Sequence, residues 1–158
     1  IYNFARLGTF VERADNTARI LDVKYYVLLP SAFAVGSRLD NVQWATILRS
    51  VSAEDGYRMT HGNVARPREI AQFLILDRRM PRSLNFCMGK IRDNLSYLAE
   101  DYGNRVPCHE KAGVLGHRVS TDEIDPIFEY GLHEFIQDFL TGLSDLSQQI
   151  EIDYRFHR

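Results

Sequence analysis

Apolar positions recur along this chain at alternating spacings of four and three residues, the period of helices that pack lengthwise against other helices. Leu7, Val11, Ala14, Ala18, Leu21, Tyr25 and Leu28 form the first such seam. They predict a helix from about Tyr2 to Leu29, stopped at Pro30. Leu84, Met88, Ile91, Leu95, Leu98 and Tyr102 form a second seam. Pro81 opens that helix with Arg82 and Ser83 in its first turn, and Gly103 closes it. Phe128, Leu132, Ile136, Phe139, Leu143, Leu146 and Ile150 form the third. This last helix is expected to start near Thr121, where Ser120 and Glu123 resemble a capping box, with Pro126 in its opening turns. Gly131 and Gly142 lower helix propensity by about 1 kcal/mol each, a cost that close packing against a neighbour would explain.

The shorter elements lie between these seams. A loop over residues 31–39 leads to Asp40, an N-cap with Gln43 three residues on. The following helix runs from about Asn41 to Met59 on an inner stripe of Trp44, Leu48 and Val51, with Ile47 alongside, and ends at His61-Gly62. Pro67 opens a short helix that carries Ile70, Phe73 and Leu74 and finishes near Leu76. Residues 103–120 are the least regular part. Pro107 can start a short helix through Cys108, Leu115 and Val119, which Gly113 and Gly116 weaken. No strand-like alternation, internal repeat or low-complexity segment occurs. The pattern predicts an all-α fold: one domain over residues 1–158, an antiparallel helical bundle of about five to six helices built on the three long seams.

Composition narrows the functional classes. At 158 residues and 45% hydrophobic content the chain can bury its own core. A net charge of −2, with both signs mixed along the chain, argues against a nucleic-acid partner. The longest apolar run, Tyr25 to Val35, is broken by Pro30 and is too short to span a bilayer, so no membrane partner is expected. Two cysteines make no disulfide framework, and a reducing cytoplasm is the expected location.

The candidate chemistry centres on the first helix. Glu12, Asn16 and Arg19 fall opposite its apolar seam, with Asp15 and Asp22 beside them, and Arg13 belongs to the same candidate polar set. Arg19 follows Asp15 by four residues and precedes Asp22 by three, so both carboxylates can reach its guanidinium. Two readings stand. One is a solvated outer face laced with ion pairs. The other is a helix covered on both sides with its charges in an internal network, because the same arc continues through Ala5 and Gly8 and then Val23 and Tyr26. Charges buried that way must be paired. His133, four residues from both Glu129 and Gln137, is a candidate for the same network.

A second candidate is the connection Asp77-Arg78-Arg79-Met80-Pro81-Arg82-Ser83. Arginines next to a helix N-terminus suit a phosphate or carboxylate, which makes Asp77, Arg82 and Ser83 a possible anion-binding set. The alternative is that Asp77 pairs with Arg82 and holds the corner. Cys108, His109 and His117 supply too few ligands at unsuitable spacing for zinc, so no metal is expected. No phosphate-binding glycine loop occurs, and no cofactor is expected. A ferritin-type di-metal site needs Glu-x-x-His pairs, and none occurs; Glu129 to His133 is one residue too long.

The segment Glu12-Arg13-Ala14-Asp15-Asn16-Thr17-Ala18-Arg19-Ile20-Leu21-Asp22-Val23 resembles the signature of the bacterial Alpha-E family, helical proteins named for a Glu-Arg motif. The likeness continues through Trp44 to Tyr57, Phe73 to Cys87 and Gly131 to Phe135. The resemblance implies a cytoplasmic, all-helical protein encoded beside ATP-grasp ligase-like and transglutaminase-like proteins, in a system suspected of forming peptide or amide bonds. It implies no catalytic residue. Family chains are about twice this length with an earlier related helix, so this chain resembles a C-terminal half whose exposed apolar face would favour self-association. The expected function is an accessory or interaction domain for ligase- or transglutaminase-like partners. The alternative is a ligand-binding or catalytic subunit of that pathway. There Glu12, Asp15 and Asp22 would supply acid–base groups, and Arg13, Arg19 and Arg82 would hold carboxylate or phosphate.

Overall fold

A computed structural model describes residues 1–27 and 38–155. Eight helices are present among the described residues and no strand. They are α1 (Tyr2–Val27), α2 (Arg38–Ser50), α3 (Glu54–His61), α4 (Pro67–Ile75), α5 (Leu84–Tyr102), α6 (Pro107–Arg118), α7 (Asp125–Tyr130) and α8 (Leu132–Asp153). The fold is all-α, as the apolar spacing predicts. The count exceeds six because two predicted helices are each divided.

The first division falls at residues 51–53. Ser52 adopts φ 54°, its N–H donates to Arg49 O, and the Ala53 N–H donates to Leu48 O. This paired pattern satisfies the last carbonyls of α2 and turns the chain into α3. Glu54 then bridges the break, accepting from Arg49 at 3.2 Å and Arg58 at 2.7 Å. The second division falls at Gly131, whose φ of 115° ends α7 before α8 begins. The capping box expected at Ser120 and Glu123 does not form; the Ser120 hydroxyl donates to His117 O, and Thr121 Oγ1 accepts the Glu123 N–H. α5 starts at Leu84, later than expected, because Ser83 is its N-cap and accepts the Phe86 N–H at 3.0 Å. α2 starts at Arg38, which puts Asp40 inside the helix. The side chains of Tyr25, Tyr26 and Asp40, and the stop at Pro30, lie outside the described residues.

Four helices make the frame: α1 packs on α5 and α8, and α6 packs on the same two from the far side. All neighbours run antiparallel. Asn3 meets Asp101 across α1 and α5, and Phe4 meets Tyr154 across the start of α1 and the end of α8. The Cys108 N–H donates to Asp153 at one end of α6–α8, and Arg118 pairs with Asp138 at the other. The least regular stretch of the sequence therefore supplies a full member of the bundle. One of its glycines and one on α8 are the reason. A Cβ on Gly142 would lie 2.9 Å from Leu115 Cδ1, and one on Gly116 would lie 3.1 Å from Arg92 Cδ, so α6 approaches α8 and α5 closely where side chains are absent.

The seams face inward. Leu7, Ala14, Ala18 and Leu21 are buried, as are Leu84, Met88, Ile91, Leu95, Leu98, Ile136, Phe139, Leu143 and Leu146. Phe10 and Thr17 widen the buried stripe of α1, while Tyr102 ends its seam exposed. Helices α2–α4 pack together as a side unit and rest on α1 and α5, with Trp44, Ile47, Tyr57, Phe73 and Leu74 continuing the same core.

Candidate functional site

Asp22 sits near the end of α1, and His133 in the first turn of α8. The antiparallel pairing of the two helices brings them together. Asp22 Oδ1 lies 2.6 Å from His133 Nδ1, and Gln137, one turn along α8, donates to Asp22 Oδ2 at 2.8 Å. A carboxylate only accepts, so Nδ1 carries the proton in this contact. Both side chains are sheltered, with 15% of Asp22 and 16% of His133 exposed. An imidazole oriented by a carboxylate is the arrangement that proton transfer uses, and it is equally a strong interhelical tie.

The rest of the α1 cluster does not join this contact. Arg19 takes Asp15 in a bidentate pair at 2.7 and 3.0 Å, with 65% and 37% of the two side chains exposed. The pairing and the nearby Asp22 hold the Arg19 guanidinium above its ordinary value, the Asp15 hydrogen bond foremost. The arc Ala5, Gly8, Glu12, Asn16, Arg19 and Val23 is exposed throughout. Of the two readings of that arc, the described residues fit the solvated outer face. Among the described residues α1 packs chiefly on α5 and α8, with α2 also against it, and the Glu12 arc is exposed.

The Glu-Arg pair is split by the helix. Glu12 points outward and is exposed, without a hydrogen-bond or ion-pair partner among the described residues. Arg13 turns inward, with its guanidinium over the Phe10 ring and Nη1 donating to Pro81 O at 3.2 Å. That carbonyl belongs to the second candidate set, so the two clusters meet at one hydrogen bond. The Asp77 carboxylate accepts the N–H groups of Arg79 at 2.7 Å and Met80 at 2.8 Å. The Ser83 hydroxyl donates to Asp77 O, and Asn85 donates to Leu76 O at 2.8 Å. Asp77 thus holds the corner through backbone amides, without pairing to Arg82, and Ser83 is committed to capping α5. Arg82 is half-buried beside them. Arg13 and Asp22 are nine residues apart, about 13 Å along the helix axis, so the corner and the Asp22–His133 contact are separate places.

Gln137, Asn85 and the Pro81 carbonyl complete these contacts, and sequence reading did not assign them. Only Gln137 carried a signal, its four-residue spacing from His133. The two cysteines stand apart from both places. Burial pushes each thiol up to about 12, helped at Cys108 by Asp153 and opposed at Cys87 by Arg13 and Arg82. His109 is buried with Nε2 2.8 Å from Leu95 O and Nδ1 accepting the Val106 N–H, while His117 is exposed. Among the described residues no three His, Cys, Asp or Glu side chains stand together as a metal ion requires, and no helix is long and apolar enough to cross a membrane.

Fold and site define an all-helical domain framed by four antiparallel helices and carrying a Glu-Arg pair on its first helix. The chain belongs to the Alpha-E family, described as a predicted alpha-helical domain with a conserved ER motif, whose model matches residues 1–154. Glu12-Arg13 is the one Glu-Arg pair in the sequence. No curated protein matches the chain, and no solved structure does.

Proposed function

We propose that this domain is an accessory module of a bacterial peptide- or amide-bond-forming system, acting in the cytoplasm and presenting the Glu12 face of α1 to an ATP-grasp ligase-like or transglutaminase-like partner. The observation that carries this reading is the row Glu12, Asn16 and Arg19, exposed together on the solvent side of a rigid bundle helix while Arg13 anchors the same turn from behind. Charged side chains on one face of a rigid element can steer and register a partner. Neither buried thiol, pushed up to about 12, supplies a thiolate nucleophile near neutral pH.

The test is co-purification of the native protein from its own cells, with Glu12→Gln and Arg19→Ala variants checked for helical content. A ligase- or transglutaminase-like protein retained by the native chain and lost by both folded variants supports the reading. Retention unchanged in both variants overturns it.

A second reading has its own observation. Asp22 orients His133 as a proton-transferring imidazole would be oriented, which favours a ligand-binding or catalytic subunit of the same pathway. Recovery of a small amino-acid-like or phosphorylated ligand with the native chain, and its loss on His133→Gln, would place this reading ahead. Self-association is expected through the apolar groove between α1 and α8 lined by Phe4, Leu7, Gly8, Val11 and Ile150. A monomeric mass by light scattering at tens of micromolar protein would exclude it.

A further inference from the structure

Away from α1, a polar cleft of about 320 Å³ opens between α5 and α6. Arg92, Asp93 and Ser96 line it from α5, Arg105 from the connection before α6, and His109 and Gly113 from α6. Neither Arg92 nor Arg105 has a hydrogen-bond or ion-pair partner among the described residues, whereas most other arginines of the bundle are paired. The one carboxylate at the cleft, Asp93, has Lys90 at 3.7 Å, so the local balance stays positive.

Three features make this a shaped recess. The stem of Arg92 lies across α6 at Gly116, where an added Cβ would come within 3.1 Å of Cδ, so the missing side chain seats the guanidinium. Gly89 and Gly113 face open space, where an added Cβ would meet no heavy atom within 4 Å, so backbone forms the walls and leaves depth. His109 is fixed beneath by its bonds to Leu95 O and Val106, which makes that side rigid.

We infer that this cleft binds the phosphate group of a small phosphorylated molecule. Arg92 and Arg105 line the cleft from different elements together with Ser96, and guanidinium and hydroxyl donors match the several acceptor oxygens of a phosphate. A phosphate, with more charge and more acceptor oxygens than a carboxylate, gains more from two guanidinium groups. The volume exceeds that of phosphate alone and lies in the range of small-molecule sites. Asp93 supplies an acceptor for a hydroxyl or amine on the remainder of the ligand.

The probe is inorganic phosphate, titrated into the full chain and followed by amide chemical shifts against chloride at matched ionic strength. Free phosphoserine is the second arm, as a phosphate ester carrying an amine. Saturable shifts at residues 89–96 and 105–113 are expected with both. Binding should weaken on the order of ten-fold or more in Arg92→Ala and in Arg105→Ala. Gly113→Leu should abolish it while keeping the helix. Lys111→Ala, which removes the same charge from the far side of α6, should leave it unchanged. No saturable shift at ten millimolar phosphate overturns the site. So does equal weakening in Lys111→Ala, which would mean general charge attraction. Tighter binding of phosphoserine than of inorganic phosphate identifies an esterified ligand; equal binding would confine the site to the free ion and overturn the assignment to a phosphorylated molecule.

Discussion

Asp22 and His133, 111 residues apart in the chain, meet at 2.6 Å and tie the end of α1 to the start of α8. With Gln137 on the second oxygen, the Asp22 carboxylate is satisfied by α8 alone. Replacing one partner leaves a sheltered polar group without its bond, which costs about 1–3 kcal/mol. Asp22→Asn and His133→Gln should each destabilise by that amount in urea unfolding. The double variant should lose less than the sum, because the second change removes a group already stranded. Strict additivity would mean that the pair contributes nothing as a pair.

The thiols give the chain an alkaline limit. Cys87 and Cys108 are raised to about 12 from 9, chiefly by burial, and Tyr154 is raised to about 12 from 10 for the same reason. A raised acid holds its proton more tightly folded than unfolded. Its contribution is complete below the unfolded value and is lost as pH climbs toward the folded one. The urea midpoint should therefore hold to about pH 9 and fall between 9 and 12. At pH 8 the folded thiols carry about a thousand-fold less thiolate than exposed ones, so a thiol reagent should label them far more slowly than in urea. Labelling of the native chain at the unfolded rate would refute the burial argument.

Ser52 occupies the left-handed position that ends α2, at φ 54°, and is exposed. Glycine reaches that conformation without the Cβ penalty. Ser52→Gly should raise stability by about 1 kcal/mol, and Ser52→Val should lower it. Thermal unfolding of the two variants beside the parent decides the matter.

Two helical glycines should respond differently to alanine. Gly8 borders open space in α1, so Gly8→Ala should gain about 1 kcal/mol from helix propensity. Gly142 faces Leu115 Cδ1, where an added Cβ would stand at 2.9 Å. The resulting overpacking offsets the propensity gain, so Gly142→Ala should show none of it. Equal gains at both sites would mean that Leu115 yields freely.

The three long seams were legible because each repeats its period five times or more, and burial of Leu84 through Leu98 follows that period closely. The breaks were not. Val51 and Ala53 are apolar and Ser52 is unremarkable in sequence, so the helix pattern runs straight across a turn made by backbone hydrogen bonds. α6 was discounted because its glycines lower propensity, yet Gly116, with Gly142 on α8, allows the close contacts that hold it. The candidate residues were identifiable one by one, and their partners were not. Arg19 lies within reach of both Asp15 and Asp22 on a single helix, and only the arrival of α8 decides that Asp22 turns to His133. Arg13 carried no sign that its partner would be a carbonyl 68 residues away.

The rings of Phe4 and Tyr154 meet at 5.1 Å, at the same end of the frame where α5 gives way to α6. Chain order and architecture are therefore separable in this molecule. A short linker from residue 155 to residue 2, with the chain reopened in the exposed connection at residues 103–105, would keep α1, α5, α6 and α8 beside their present neighbours. Such a circular permutant would place the Glu-Arg helix in the interior of the sequence without moving it in space, with its new ends at the end of the frame where Phe4 and Tyr154 meet.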